Sequence, residues 1–430
     1  MTQIQGITNI PQCIARKIAK LFPSNISASD YPSLNLLGYT SLIILYSTLS
    51  RIDNSEEWDL LLHCYITNVV RILEAQGIAH FSLIDGLAGI CFAITLSGQE
   101  KGRYKKLQNT LDLFLIKGIN QEYLTPLQKN ISCGLYSNQN LYDVISGVAG
   151  IGNYFLNNLE KKGFVEVVKE ILSTLVSFCS PIVIHGREVP GWYRHTEDTF
   201  EDKSRFPKGN FDLGFAHGIP GILAFFSLAL LKGVIVNRQK ETILKLTDWI
   251  WDKRLVGAQG IFWSDRVSFE EETTGKKENN SFIFDGWCYG TPGITRSLFL
   301  AGSALDDKQI KNQSIKSFKD VFLKTREQWG LPCPSFCHGL SGLLTLTCKM
   351  YQETSLPFFR DKSNELKSLI LSFYNPLWEL GFFSDSISDI SEYLRSEKIN
   401  IITGVSGILL SLLFCDFYKE DKWTRFFVIS

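Results

Sequence analysis

The sequence shows no charge imbalance, no dense cysteine framework and no secretory leader. Lys plus Arg number 44 and Asp plus Glu number 44, so the formal net charge is zero. That balance gives no support to a nucleic-acid or anionic-membrane binder. The opening MTQIQGITNIPQCIARKIAK lacks an apolar core between a basic start and a small-residue cleavage site, so no secretory signal is expected. Ten cysteines in 430 residues fall short of a disulfide scaffold, and reduced thiols are expected. Cys64, Cys91, Cys179, Cys348 and Cys415 sit in apolar runs and read as small core residues. Two stretches, 32–50 and 399–415, carry no charge. The first is rich in Ser, Thr and Asn and the second is short for a membrane span, so both read as buried helices. What is present is 45% hydrophobic residues, enough for a sizeable core in one to three domains.

A short pattern then recurs along the chain: Gly, two residues, a second small residue and an apolar run. It appears as LGYTSL, DGLAGI, SGVAGI, HGIPGI, YGTPGI, HGLSGL and TGVSGI. The leading glycines are Gly38, Gly86, Gly147, Gly218, Gly290, Gly339 and Gly404, spaced 48 to 72 residues apart. A single G-x-x-G means little, but seven at such spacing indicate an internal repeat. Between them lie amphipathic segments of helical period, approximately 11–22, 56–76, 102–118, 166–178, 239–255, 308–325 and 359–374. An uncharged helix must be covered on all sides, and an amphipathic helix can cover it. The predicted fold is therefore all-α, a double-ring α/α toroid of about seven inner and seven outer helices in one domain spanning 1–430. Two stretches break the pattern, 181–212 and 256–284. Their alternating apolar residues and turn formers predict short strands in a small β-rich projection.

Aligned on the leading glycine, the preceding slot holds Leu37, Asp85, Ser146, His217, Tyr289, His338 or Thr403. Cys288 and Cys337 share the slot before that in consecutive repeats, and His338 adjoins Cys337. Two thiols and an imidazole form a donor set that suits Zn²⁺ and leaves a fourth position open, as in catalytic sites. Cys333, four residues before Cys337, would close the set and make it structural. The third alternative is three residues without a metal. His217 in the same slot titrates near neutral pH, though alone it reads as a helix-start histidine. Asp85 reads as a cap or structural acceptor. His63, His80, His185 and His195 fall outside the alignment.

GFAHGIPGI, DGWCYGTPGI and FCHGLSGL resemble the three signature motifs of the lanthipeptide cyclases, the LanC-like family, and YDVISGVAGIG resembles a fourth segment. The resemblance extends over essentially the whole chain and points to a stand-alone bacterial cyclase of class I. It implies one Zn²⁺ per chain on Cys288, Cys337 and His338. It implies His217 and Asp143 as catalytic groups, with Trp287 and Tyr289 lining the site. Asp143, four residues before Gly147, also reads as a helix N-cap, and Trp287 and Tyr289 also read as core aromatics. The sequence departs from the pattern at Phe284, where a cyclase of this type can carry an arginine. Arg296 and Arg187 are the cations considered as replacements.

The implied reaction adds a cysteine thiol to the β-carbon of dehydroalanine or dehydrobutyrine in a lantibiotic precursor. A free thiol, with pKa near about 8.5, is mostly protonated at neutral pH. Metal coordination would deprotonate it, and the enolate formed would need stabilisation and a proton, for which His217 is suited. Inner-helix N-termini would favour the anion. The alternatives are a LanC-like enzyme that adds glutathione to dehydroamino-acid-containing proteins, or a non-catalytic peptide-binding toroid. Usage rich in Lys, Asn, Ile and Phe resembles an AT-rich bacterial gene and favours the cyclase. No room is expected for a dehydratase domain. The implied partners are the dehydrated precursor peptide and a complex with a dehydratase and an ABC transporter, with no nucleic acid. The implied location is the cytoplasm, at the inner face of the membrane through that complex.

Overall fold

Burial separates two kinds of helix in the computed structural model, which describes residues 10–22, 34–53, 55–98, 102–196, 200–277, 284–384 and 392–430. Ten of the twelve residues of helix Leu87–Gly98 are buried, and eleven of the twelve in Val405–Asp416. Helix Glu56–Gln76 instead buries Trp58, Leu62, Tyr65, Ile66 and Val69, one stripe of helical spacing. Ser55 begins that helix, its side chain accepting from Glu57 N, and three acids occupy its first turn, where the helix dipole favours negative charge. The fold is all-α, as expected, with short strands confined to the second unit described below. No described helix is long and apolar enough to cross a membrane.

The chain forms two compact units. The first comprises the described residues up to His80, Ile84–Leu111 and Pro332–Thr424. In it the buried helices Leu340–Thr354, Val405–Asp416, Leu36–Asp53 and Leu87–Gly98 pack each against the next. Pro357–Leu371 covers Leu340–Thr354, and Glu56–Gln76 covers Leu36–Asp53. The second unit comprises Phe81–Leu83, Asp112–Leu331 and Arg425–Ser430. Its buried helices Val148–Leu156, Ile219–Leu231 and Thr291–Ala304 pack in that order. Their respective covers are Phe164–Phe178, Gln239–Asp252 and Lys308–Asp320. Each unit thus repeats the inner–outer pairing read from the sequence.

The second glycine of the motif has a steric reason. A Cβ on Gly150, Gly221, Gly293 or Gly407 would lie 1.9, 2.2, 2.4 or 2.2 Å from the carbonyl oxygen of Val144, Phe215, Trp287 or Ile401, in each case the residue six positions earlier. The loop before each inner helix therefore folds back onto its first turn. The first motif departs from the others. Gly147, Gly218, Gly290, Gly339 and Gly404 stand at helix N-caps, but Gly38 lies inside helix Leu36–Asp53. Asn35 Oδ1 accepts from Gly38 N and starts that helix early, so Leu37 is helical rather than a loop residue.

Among the described residues, seven short strands occupy the stretches expected to be β-rich. They are β1 (Ile182–Ile184), β2 (Arg187–Val189), β3 (Tyr193–Arg194), β4 (Asn210–Asp212), β5 (Leu255–Gly257), β6 (Gly260–Phe262) and β7 (Arg266–Ser268). Strands β1–β2 and β5–β6 are hairpins, and β3–β4–β7 is an antiparallel sheet joining the two stretches. The β4–β7 register sets Asp212 opposite Arg266. The same stretches also hold helices Phe200–Arg205 and Phe269–Thr274, which the strand reading missed. Ser268 and Glu271 close a capping box on the second, a signal present in the sequence as SFEE. Residues 197–199 and 278–283 of these stretches lie outside the described residues.

Candidate active site and metal centre

The loops that precede the inner helices are tied to one another by backbone hydrogen bonds. In the second unit Val144 N donates to Ala216 O at 3.1 Å and Phe215 N to Cys288 O at 2.7 Å. In the first, Cys337 N donates to Ile402 O at 2.9 Å. Residues sharing a motif slot in successive repeats are thereby neighbours within each unit. Gly290 shows how tightly such a loop is wound. Its φ is +97°, and a Cβ there would lie 1.4 Å from Phe284 O.

His217 Nδ1 and Asp143 Oδ2 are 2.7 Å apart. Asp143 is fully buried, while the His217 side chain is 31% exposed. The other oxygen of Asp143 accepts from Ser146 N at 2.7 Å and Gly147 N at 2.8 Å. Asp143 is therefore both the helix-start acceptor and the orienting partner of the histidine. Burial disfavours the charged ring of His217, but the hydrogen bond and charge of Asp143, with Asp212 adding, outweigh it. Although Arg266 opposes them, the pKa is raised above its ordinary value. With Nδ1 engaged, Nε2 is the nitrogen left for proton exchange with a substrate.

A second set of charges adjoins this pair, and the sequence reading missed it. Asp212 Oδ2 lies 3.0 Å from Arg194 Nη1, 3.1 Å from Arg266 Nη1 and 3.2 Å from Tyr289 Oη. Its Oδ1 accepts from Gly214 N at 2.6 Å. Burial alone would raise the Asp212 carboxyl, but Arg266, Arg194, His217 and the Gly214 N–H more than offset it and hold it below the usual range. The Arg266 guanidinium sits 4.8 Å from the centre of the Tyr289 ring. Burial, and then the Asp212 charge, push the Tyr289 hydroxyl well above its ordinary pKa. It therefore stays protonated at neutral pH and acts as a hydrogen-bond donor.

Trp287 is fully buried, its ring 6.0 Å from Phe215 and 5.0 Å from Phe427. It holds the loop in place from the core side. Arg296 is also buried and donates through Nε and Nη2 to Ile429 O, which ties down the C-terminal segment. Arg187 is exposed on β2. Asp85 is exposed at a φ of 65°. Of the remaining histidines, His63 bonds the Tyr104 hydroxyl at 3.0 Å, His185 meets Phe269 edge-on and His195 stacks on Tyr136.

Cys337 and His338 are adjacent in the first unit, and Cys288 lies in a motif loop of the second. Cys333, also in the first unit, has its Sγ 3.1 Å from Ser335 Oγ. Cys337 Sγ and His338 Nε2 are 3.9 Å apart. Tetrahedral zinc, with sulfur at about 2.3 Å and nitrogen at about 2.0–2.1 Å, would set such a pair about 3.6 Å apart. Cys337 is buried and His338 is exposed, and their chemistry and spacing fit two ligands of a zinc ion.

Three comparisons bear on this arrangement. The solved structure of nisin cyclase superposes with a TM-score of 0.79, covering all of this chain and 98% of that one; at 22% identity this likeness speaks to the fold. The nisin biosynthesis protein NisC of Lactococcus lactis subsp. lactis is 26% identical over 395 residues, 89% of this chain and 85% of that protein. The family described as lanthionine synthetase C-like protein matches residues 36–428, nearly the whole of both units. On that match, the chain belongs to the lanthionine synthetase C-like family.

Proposed function

We propose that the protein closes thioether rings in a dehydrated lantibiotic precursor, adding cysteine thiols to dehydroalanine or dehydrobutyrine, with one zinc ion held by Cys288, Cys337 and His338. The observation that carries this reading is the pairing of His217 with buried Asp143 beside the motif loop that carries Cys288. A zinc ion bound there would lower the pKa of an incoming cysteine thiol and hold it as a nucleophile, since two protein thiolates already weaken its Lewis acidity towards water. The remaining work falls to the chain's own residues. His217, whose cationic form Asp143 favours, delivers a proton from Nε2 to the α-carbon. Asp143 fixes the ring's tautomer and orientation from its buried, capped position. Tyr289 donates a hydrogen bond beside them and does not serve as a base. The names of nisin cyclase and the nisin biosynthesis protein NisC support this class of chemistry. In this reading the protein works in the cytoplasm after a dehydratase and beside an ABC transporter, at the inner face of the membrane.

The test is ring closure by purified, zinc-replete protein on a dehydrated precursor peptide. Thiol alkylation and mass spectrometry count the unclosed cysteines over time. Closure faster than in a protein-free control is expected. No acceleration would overturn the reading, and adducts formed only with added glutathione would favour the glutathione-adding alternative.

A further inference from the structure

Adding a thiol to a dehydroamino acid places negative charge on the neighbouring carbonyl oxygen. A group must meet that charge before His217 returns a proton to carbon. In the second unit two guanidinium groups share one carboxylate oxygen, Asp212 Oδ2, at 3.0 and 3.1 Å. One carboxylate offsets one guanidinium, so this trio carries a net positive charge. Asp265 makes a two-bond pair with Arg205 at 2.9 and 3.1 Å, and Asp143 holds His217. Arg194 has 0% side-chain exposure and cannot meet a substrate, whereas Arg266 is 13% exposed. Arg266 lies over the Tyr289 ring, and both it and Asp212 act electrostatically on His217.

We propose that Arg266 is a further catalytic residue, donating hydrogen bonds to the enolate oxygen, with Asp212 and Arg194 as its positioning residues. This rests on the ring-closure reading above. As the carbon–sulfur bond forms at the β-carbon, the π pair shifts towards the carbonyl and its oxygen takes the negative charge. Protonated His217 then supplies the α-carbon proton and the carbonyl re-forms. The thiol's own proton leaves to solvent, which later reprotonates His217, so thiol and alkene combine into a thioether with no redox change. No bond to Arg266 changes. Its fixed guanidinium acts on the enolate and the transition states flanking it, because the charge is absent from the bound substrate.

The test compares Arg266→Gln and Arg266→Lys with the wild-type protein, following zinc content, far-UV circular dichroism and ring-closure kinetics. Arg266→Gln is expected to keep zinc and helix and to lose about 10²-fold in kcat, as for removal of one oxyanion donor, with KM little changed. Arg266→Lys, which keeps the charge but loses the fork, should recover part of that loss. If Arg266→Gln does not fold, Arg266→Lys decides, with kcat expected about tenfold below wild type at unchanged KM. Wild-type kcat in a folded Arg266→Gln protein, or a change in KM alone in either variant, would overturn the proposal. Loss of zinc or helix in both variants would make Arg266 structural and also overturn it. Absence of wild-type ring closure is a separate outcome that overturns the ring-closure reading, and this proposal with it.

Discussion

At the scale of residues, the pairing of His217 with Asp143 makes two predictions that separate orientation from proton transfer. Asp143→Asn keeps an oxygen for Ser146 N and Gly147 N, so the helix start should survive. It removes the charge that raises the His217 pKa and leaves the burial that lowers it. NMR titration of the six histidines should show the His217 midpoint falling from its raised value. An unmoved midpoint would contradict the pairing. The same shift gives a sign for stability. A raised folded-state pKa means the pair stabilises fully below the unfolded-state value of about 6.5, and that contribution is lost as pH rises through the folded-state pKa. The gap in unfolding free energy between the wild type and Asp143→Asn should therefore narrow as pH rises. His217→Asn should keep zinc and fold and slow ring closure by roughly 10²- to 10⁴-fold, the usual worth of general acid–base catalysis. Loss of zinc in that variant would make His217 a ligand or ligand support. Of these residues, His217 was legible from its motif slot, and both readings of Asp143 describe bonds that it makes. Trp287 was legible only as an aromatic, because whether a ring lines a site or fills a core depends on packing from Phe427, which lies far along the chain.

At the scale of elements, the G-x-x-G pattern is a steric rule about how each inner helix begins. A Cβ at Gly221 would lie 2.2 Å from Phe215 O and 2.6 Å from Val144 Cγ2. Gly221→Ala must push the loop carrying His217 off the helix, and a cost of about 1–3 kcal/mol or more is expected. Gly275→Ala is a control, since nothing lies within 4 Å of its Cβ and only its left-handed conformation, φ +71° and ψ 3°, resists it. That should cost about 1–2 kcal/mol. Chemical denaturation of both variants checks the order, and a Gly221→Ala protein as stable as wild type would remove the steric account. The inner and outer helices were readable because burial imposes its period locally. The early start of helix Leu36–Asp53 was not, because the cap comes from Asn35 rather than from the glycine motif. Helices Thr125–Ser132 and Glu392–Ile399 were also missed, being only eight residues each and so giving little period to detect.

At the scale of the whole molecule, the prediction concerns what the metal does and does not support. Each unit has its own buried helices with covering partners, so the fold does not depend on a metal for its core. Purified protein should contain near-equimolar zinc. Cys337→Ala, or chelation of the wild type, should abolish zinc binding and ring closure while the far-UV circular dichroism signal largely persists. Equal zinc content in the wild type and a Cys288→Ala/Cys337→Ala protein would exclude the assigned ligands. A collapse of helical signal on chelation would show that the ion is structural.

The sequence by itself determined the all-α class and the inner and outer helices. These features rest on hydrophobic period, glycine spacing and motif, all of which lie within a few tens of residues. Only the tertiary structure decided the charge system around Asp212. Arg194, Asp212 and Arg266 stand in no common motif. Asp212 and Arg266 meet because β4 pairs with β7 in one register, and Arg194 joins them from β3 on the other side of β4. A side chain's net electrostatic role depends on which charges share its low-dielectric surroundings, and that is fixed by strand register and burial rather than by the local sequence around any one of the three.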